Sequence, residues 1–252
     1  MDTTRHVGKT AIVTGAGSGI GRATVLRLAA EGAHVIGLDI SEPGLEETGG
    51  LVADGGLDIE LVVADVTRQD DVERAVAAAG GRVDILANVA GVMDHFLPLG
   101  EVDDATWNRV MDINVTGPMR LSRAVLPYME EAGGGAIVTV ASKASVGAGA
   151  SGVAYTTSKH GVIGLVKSIA YFYGPKGIRS NAVLPGPVET GIGATASPES
   201  AWTMERAQLS MATIQRMAKP DELATAISWL ASDEAVNING AVLLSDGGWA
   251  SA

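Results

Sequence analysis

Short apolar runs alternate along the chain with longer stretches in which apolar residues recur every three or four positions. The runs at 10–14, 33–38, 59–64, 83–87, 135–141, 178–184 and 241–245 are rich in Val, Ile, Leu and Ala. Runs of this length and composition are strands buried on both faces, as in a parallel sheet. Helical spacing follows most of them. It starts after Gly21 with Ala23, Leu26, Leu28 and Ala29, and continues at 69–79, with Thr67 or a nearby Asp as cap, and at 104–113 and 115–131, with Asn114 at the junction. Further helical spacing begins near 153 and runs to about 173, and Pro220 opens a last helix to about 231. Residues 41–57 read as a short helix and an acidic surface loop. The order predicts an α/β fold with a doubly wound parallel sheet. No internal repeat or linker interrupts it, so one domain is expected over all 252 residues. Its dinucleotide-binding half would cover about 7–113 and its catalytic half about 114–252.

Composition narrows the class. Hydrophobic residues make up 46% and charged residues 19%, which is globular usage, and the net charge of −11 repels phosphate backbones and anionic lipid surfaces. Nucleic-acid and membrane partners are therefore not expected. The absence of cysteine excludes disulfides and thiolate-held metals. No metal site is expected. Residues 1–10 hold no apolar segment of signal-peptide length, and no apolar run approaches the ~18 residues of a membrane span. The expectation is a soluble cytoplasmic protein.

The candidate chemistry lies at the C-terminal ends of the predicted strands. The first strand runs into Gly15-Ala16-Gly17-Ser18-Gly19-Ile20-Gly21 and then a helix, an arrangement that sets backbone N–H groups and a helix N-terminus against a pyrophosphate. Asp39 ends the second strand, where a carboxylate accepts from both ribose hydroxyls and repels a 2′-phosphate. NAD is therefore expected rather than NADP. Asp65 and Val66 end the third strand, placed for the adenine edge. After the fourth, Asn88 is suited to tie neighbouring strands, and the small Ala90 and Gly91 let the chain pass close to a cofactor. Asn114, between Ile113 and Val115, is expected to face inward and to need partners. Ser142 ends the fifth strand. After the sixth, Pro185, Gly186, Pro187 and Val188 lead to Thr190, aimed at a nicotinamide carboxamide.

Tyr155 and Lys159 stand four residues apart on a helix and so share a face. A phenol titrates near ~10, and a cation beside it is expected to lower that value by roughly 1–3 units, making a usable acid or base. Residues 191–218, with Trp202, Met204 and Met211, read as a lid with a short helix. Pocket walls are expected from 92–96, 143–151, Pro187 and that lid. Lys143 is read as solvated, the alternative being contact with a polar or anionic substrate. His95 beside Phe96 is read as packed or solvated.

Taken together, the Gly15–Gly21 turn, Asn88-Val89-Ala90-Gly91, Asn114, Ser142, Tyr155-x-x-x-Lys159 and Pro185-Gly186 resemble the short-chain dehydrogenase/reductase family over nearly the whole chain. The resemblance implies a Rossmann-type seven-stranded sheet. It also implies Tyr155 as acid/base, Lys159 lowering the Tyr155 pKa and binding the nicotinamide ribose, Ser142 holding the reacting oxygen, and Asn114 holding a water in a proton relay. A homotetramer is implied as well. Val89 stands where the family often has a second Asn, a departure expected to matter little. The expected activity is hydride transfer between NAD and a mainly apolar secondary alcohol or ketone. Two alternatives stand beside it: a 3-oxoacyl thioester reductase, disfavoured by the acidic surface, and a catalytically idle NAD sensor or scaffold.

Overall fold

The computed structural model describes residues 3–52, 56–193 and 201–251. Strands β1 (Thr10–Thr14), β2 (His34–Asp39), β3 (Ile59–Val63), β4 (Ile85–Asn88), β5 (Gly135–Val140), β6 (Ile178–Pro185) and β7 (Val242–Ser245) form one sheet in the order β3-β2-β1-β4-β5-β6-β7. Every neighbouring pair is parallel, with Ala11 facing Val35 on one side and Ile85 on the other.

Strand alternation sends successive residues to opposite faces. Ala11, Val13, Ile85, Ala87, Ala136 and Val138 belong to one core, together with Val25 and Leu28 of α1 (Gly19–Ala30) and Leu223, Ile227 and Leu230 of α8 (Pro220–Ala231). Ile12, Ile36, Leu86 and Ile137 point the other way, against Val72 and Val76 of α3 (Gln69–Ala77) and Leu121, Val125 and Met129 of α5 (Gly117–Glu131). Each such aliphatic side chain, fully buried, contributes roughly 1.5–3 kcal/mol. That double coverage is why the strands read as unbroken apolar runs. The remaining helices are α2 (Glu42–Gly50), α4 (Asp104–Met111), α6 (Val153–Tyr173) and α7 (Ala201–Met211).

Between β1 and β4 the strand order reverses direction, and a crevice opens at the C-terminal edge of the sheet. Thr14 pins that point. Its hydroxyl oxygen accepts from the N–H groups of Val89 and Ala90 at 2.9 and 3.0 Å, joining the end of β1 to the chain leaving β4.

Two expectations need correction. The start of α3 is not capped by Thr67 or an Asp side chain. Its N-cap is Arg68, and Thr67 instead donates to Asp65 while the Asp71 carboxylate takes the Asp65 N–H. Nor do the helices around Asn114 simply meet. Asp112–Thr116 is a π turn, closed by Gly117 N–H to Asp112 O. Residue 118 is a proline and has no N–H to give the Asn114 carbonyl four residues back, so regular α-helical bonding cannot run through this point. Among the described residues no helix is long and apolar enough to cross a membrane.

Candidate active site

A groove of about 590 Å³ runs along the crevice. Its floor is the turn after β1, where Gly15, Ser18, Gly19, Ile20 and Gly21 all face the groove. A Cβ on Gly21 would stand 1.9 Å from the Gly15 carbonyl oxygen, so only glycine lets the helix start this close to the strand. Gly15 takes a φ of 74°, the left-handed region that glycine enters freely. Asp39 closes one end. Its Oδ2 accepts from Gly17 N–H at 2.9 Å and its Oδ1 from Ser41 N–H at 2.8 Å, which fixes the carboxylate toward the groove. The nearest arginine on this turn, Arg22, is committed to the Gly17 carbonyl, Thr48 and Glu47. Asp65 and Val66 line the middle of the groove; Ala90, Gly91 and Thr190 line the far end. The backbone cradle, the terminal acid and the volume of the groove fit a nicotinamide dinucleotide.

Asn88, grouped with the cofactor contacts in the sequence reading, does not line the groove. It is buried and donates to Ser122 of α5 at 3.4 Å and Thr139 of β5 at 3.5 Å, a tie between sheet and helix. Among the groove residues that carried no motif are Arg109, Asp112 and Ile113. Their spacing of three and four was the available signal, since it places them on one helical face.

The groove opens at Gly91, Thr190 and Ile192 into a second cavity of about 380 Å³. Ser142, Tyr155 and Lys159 stand together in it, with Pro185, Gly186 and Val188 forming the wall after β6. Ser142 is held at the end of β5, its Oγ accepting from Ala144 N–H at 3.1 Å. The Ser142 side chain also favours the ionised form of the Tyr155 hydroxyl beside it. The Lys159 ammonium donates to the Val140 carbonyl at 3.0 Å and lies 5.5 Å from the Tyr155 ring centroid.

Burial decides the proton affinities. It pushes the Tyr155 phenol up; the Ser142 hydrogen bond pulls it back and the Asp94 carboxylate raises it further. This runs against the expected lowering: the tyrosine is 8% exposed, and loss of water outweighs the pull of Ser142. Burial also brings Lys159 from its ordinary value down to about 8.

Asn114 is buried in the π turn, but its side chain is engaged. Oδ1 accepts from Val92 N–H at 2.9 Å, and Nδ2 donates to Val92 O at 2.9 Å and Ser158 Oγ at 3.0 Å. Its backbone carbonyl has no N–H to accept from at Pro118, four residues on. A Cβ on Gly91 would sit 3.2 Å from Asn114 Oδ1 and 3.3 Å from Lys159 Nζ, so these three residues close on one another.

The rest of the cavity is apolar. Met93, Phe96, Ala150, Pro187, Met204 and Met211 line it as expected, and Ile192, Ile214, Met217 and Trp249 join them. Trp202 does not line it. Exposed on α7, its indole donates to Glu101 at 2.8 Å. Lys143 is not in the wall either; its ammonium lies 4.8 Å from the Trp249 ring centroid and donates to the Ala148 carbonyl and the Ser210 hydroxyl. His95 is absent from the lining too. Residues 194–200 of the expected lid lie outside the described residues. Among the described residues no cluster of His, Asp and Glu is placed to hold a metal.

Residues 15–250 match the family model described as Enoyl-(Acyl carrier protein) reductase. The chain is 40% identical to 3beta-hydroxysteroid dehydrogenase 2 of Eggerthella lenta over 99% of each chain. It is 39% identical to the short-chain dehydrogenase/reductase cdmF of Talaromyces verruculosus, covering 94% of this chain and 95% of that one. A solved structure from Beutenbergia cavernae, holding NADP at low occupancy, superposes with a TM-score of 0.88 at 35% identity over 100% of both chains.

Proposed function

The chain belongs to the short-chain dehydrogenase/reductase family, and from that premise we propose an NAD-dependent enzyme that interconverts an apolar secondary alcohol and its ketone. The observation that carries this is the Ser142, Tyr155 and Lys159 group at one end of an apolar cavity that opens onto the dinucleotide groove.

A bound nicotinamide dinucleotide supplies the hydride acceptor or donor at the far end of the groove. The protein handles the proton. In oxidation the substrate O–H gives its proton to the Tyr155 oxygen as the carbonyl forms; in reduction the Tyr155 hydroxyl returns it to the developing alkoxide. Ser142 donates to that oxygen, a preorganised contact of the kind worth a few kcal/mol in the transition state. Lys159, while charged, favours the deprotonated tyrosine and is placed to reach ribose hydroxyls across Gly91. A water on the Asn114 carbonyl would carry the proton onward from Lys159.

NAD is preferred over NADP in this reading because Asp39 presents a carboxylate where a 2′-phosphate would lie and Arg22 is already engaged. The apolar walls support a bulky alicyclic or steroid-like substrate, in keeping with the hydroxysteroid dehydrogenase relative. A thioester carried by an acidic protein is disfavoured by the charge of −11 and by Glu130 and Glu131 on the surface side of α5. A sensing role is disfavoured because Ser142, Tyr155 and Lys159 line one cavity. A lid role for this part of the chain is supported by Ile192, Met204, Met211, Ile214 and Met217, which line the apolar cavity. A homotetramer is supported by Tyr171 and Phe172, exposed and stacked edge to face at 5.1 Å near the end of α6.

The test is cofactor reduction with NAD and NADP against a panel of apolar secondary alcohols, with 3-oxoacyl and enoyl thioesters assayed in the reverse direction. NAD-linked turnover on alicyclic alcohols is expected. Turnover confined to thioesters, or better with NADP, would sink the reading.

A further inference from the structure

Asp94, on the chain between β4 and α4, is a carboxylate with no exposure to solvent. Burying a charge is costly unless it is hydrogen-bonded. All three of its donors are neutral, and all come from the start of the helix that carries Tyr155. Oδ1 accepts from Ser151 Oγ at 2.8 Å and Gly152 N–H at 2.9 Å; Oδ2 accepts from Tyr155 N–H at 2.9 Å.

The first turn of a helix leaves N–H groups without partners, and the N-cap residue here, Gly152, has no side chain to serve them. The 94–97 turn does so from outside. The Leu97 carbonyl takes the Val153 N–H at 2.9 Å, next to the two N–H groups that Asp94 takes. Gly152 is wedged between them: a Cβ there would meet Leu97 O at 2.4 Å and Asp94 Oδ2 at 2.7 Å. To reach this position the chain places two consecutive non-glycine residues, His95 and Phe96, at φ 56° and 59°. Such strain persists only where the surroundings over-determine it. The same turn contributes Phe96 to the substrate cavity, so wall and helix share one anchor.

We propose that Asp94 is the positioning residue of this site: its buried carboxylate holds the start of the Tyr155 helix, and with it Tyr155, in register with Ser142 and Lys159. The same carboxylate opposes loss of the Tyr155 proton. This rests on Tyr155 being the acid/base. The charged groups around Tyr155 are few. Lys159 is one turn on along α6, and His95 shares the Asp94 turn. From α4, Arg109 donates to the Met93 carbonyl at 3.0 Å and Asp104 stands at the far end. Asp112 of the π turn lines the groove, Lys143 of the turn after β5 is held on Trp249, and Arg179 of β6 bonds the carbonyls of Leu230 and Ser232. Of these, Asp94 alone is both negative and bonded to the Tyr155 backbone.

The experiment is the pH profile of kcat/KM for alcohol oxidation in wild type, Asp94→Asn and Ser151→Ala, with Tyr155→Phe alongside. Removing the anion should move the acid limb to lower pH, because phenolate then forms more easily. Ser151→Ala keeps the charge, so its limb should stay in place while kcat falls several-fold and NAD affinity holds. A folded Asp94→Asn with the wild-type limb overturns the proposal. Where Asp94→Asn does not fold, Ser151→Ala decides: wild-type kcat there overturns it. Full turnover by Tyr155→Phe would instead remove the acid/base reading on which it stands.

Discussion

The indole nitrogen of Trp249 donates to the carbonyl oxygen of Ser210 at 2.7 Å, tying the short 3-10 turn near the C-terminus to the end of α7. The other side of the ring carries the Lys143 ammonium, and the indole itself is part of the cavity wall. Three segments distant in sequence therefore meet at one side chain: the turn after Ser142, the helix that lends Met204 and Met211 to the cavity, and the C-terminal turn.

Substitution should separate the ring from its bond. Trp249→Phe keeps an aromatic wall and loses the donor, and a typical hydrogen bond contributes roughly 0.5–1.5 kcal/mol net. The KM for the alcohol should rise by about 2–10-fold, and further in Trp249→Ala. NAD affinity, read by calorimetry, should not move, since Trp249 does not line the dinucleotide groove. A parallel loss of NAD affinity would show that the clasp supports the whole cleft.

The hydroxyl pair makes a different demand. Tyr155→Phe should cost roughly 10²–10⁴-fold in kcat, as expected when a general acid/base is removed. Ser142→Ala should cost roughly 10²–10³-fold, the usual loss of one preorganised donor. Both variants should bind NAD as wild type does. Near-normal kcat in either would reassign the proton.

The seven strands and most helix bounds were readable because each strand is covered on both faces and each helix on one, which leaves direct periodic marks. The motif residues were readable for a related reason: turns such as Gly15–Gly21 impose steric demands on their own sequence. What escaped depends on contacts across the chain. Nothing near Asp94 announces a bond to Tyr155, 61 positions on. The cation beside Tyr155 was visible in the spacing of Lys159, whereas the burial that raises the Tyr155 phenol was not. The π turn had a local mark, Pro118, but a proline so near a helix start also reads as an ordinary first-turn residue. Trp249 was a lone aromatic near the C-terminus, and its role follows only once α7 is seen to end beside it.

Cofactor choice should turn on Asp39. Like charges about 4 Å apart near a protein surface repel by roughly 1–4 kcal/mol, depending on how much water lies between them. Asp39→Ser removes that repulsion and also the acceptor for Gly17 N–H. The ratio of kcat/KM with NADP to that with NAD should rise at least about tenfold, with part of the change coming from weaker NAD binding. An unchanged ratio would mean that another group sets the preference.

Lys159 sets activity against stability. Unfolded, it keeps its proton to about 10.5; folded, it gives the proton up at about 8. Between those values the unfolded chain binds more protons, so stability rises with pH across the window and is lowest, for this group, below about 8. At about 1.4 kcal/mol per pH unit, the burden at neutral pH is a little over ~3 kcal/mol. Lys159→Met removes the charge but also the donor to the Val140 carbonyl, which returns about 1 kcal/mol. In urea unfolding, the variant should therefore exceed wild type by about 1–3 kcal/mol at pH 7, lose that advantage near pH 10, and be nearly inactive at both. A wild type more stable than the variant at pH 7 would mean that the Val140 bond outweighs the cost of burying the ammonium.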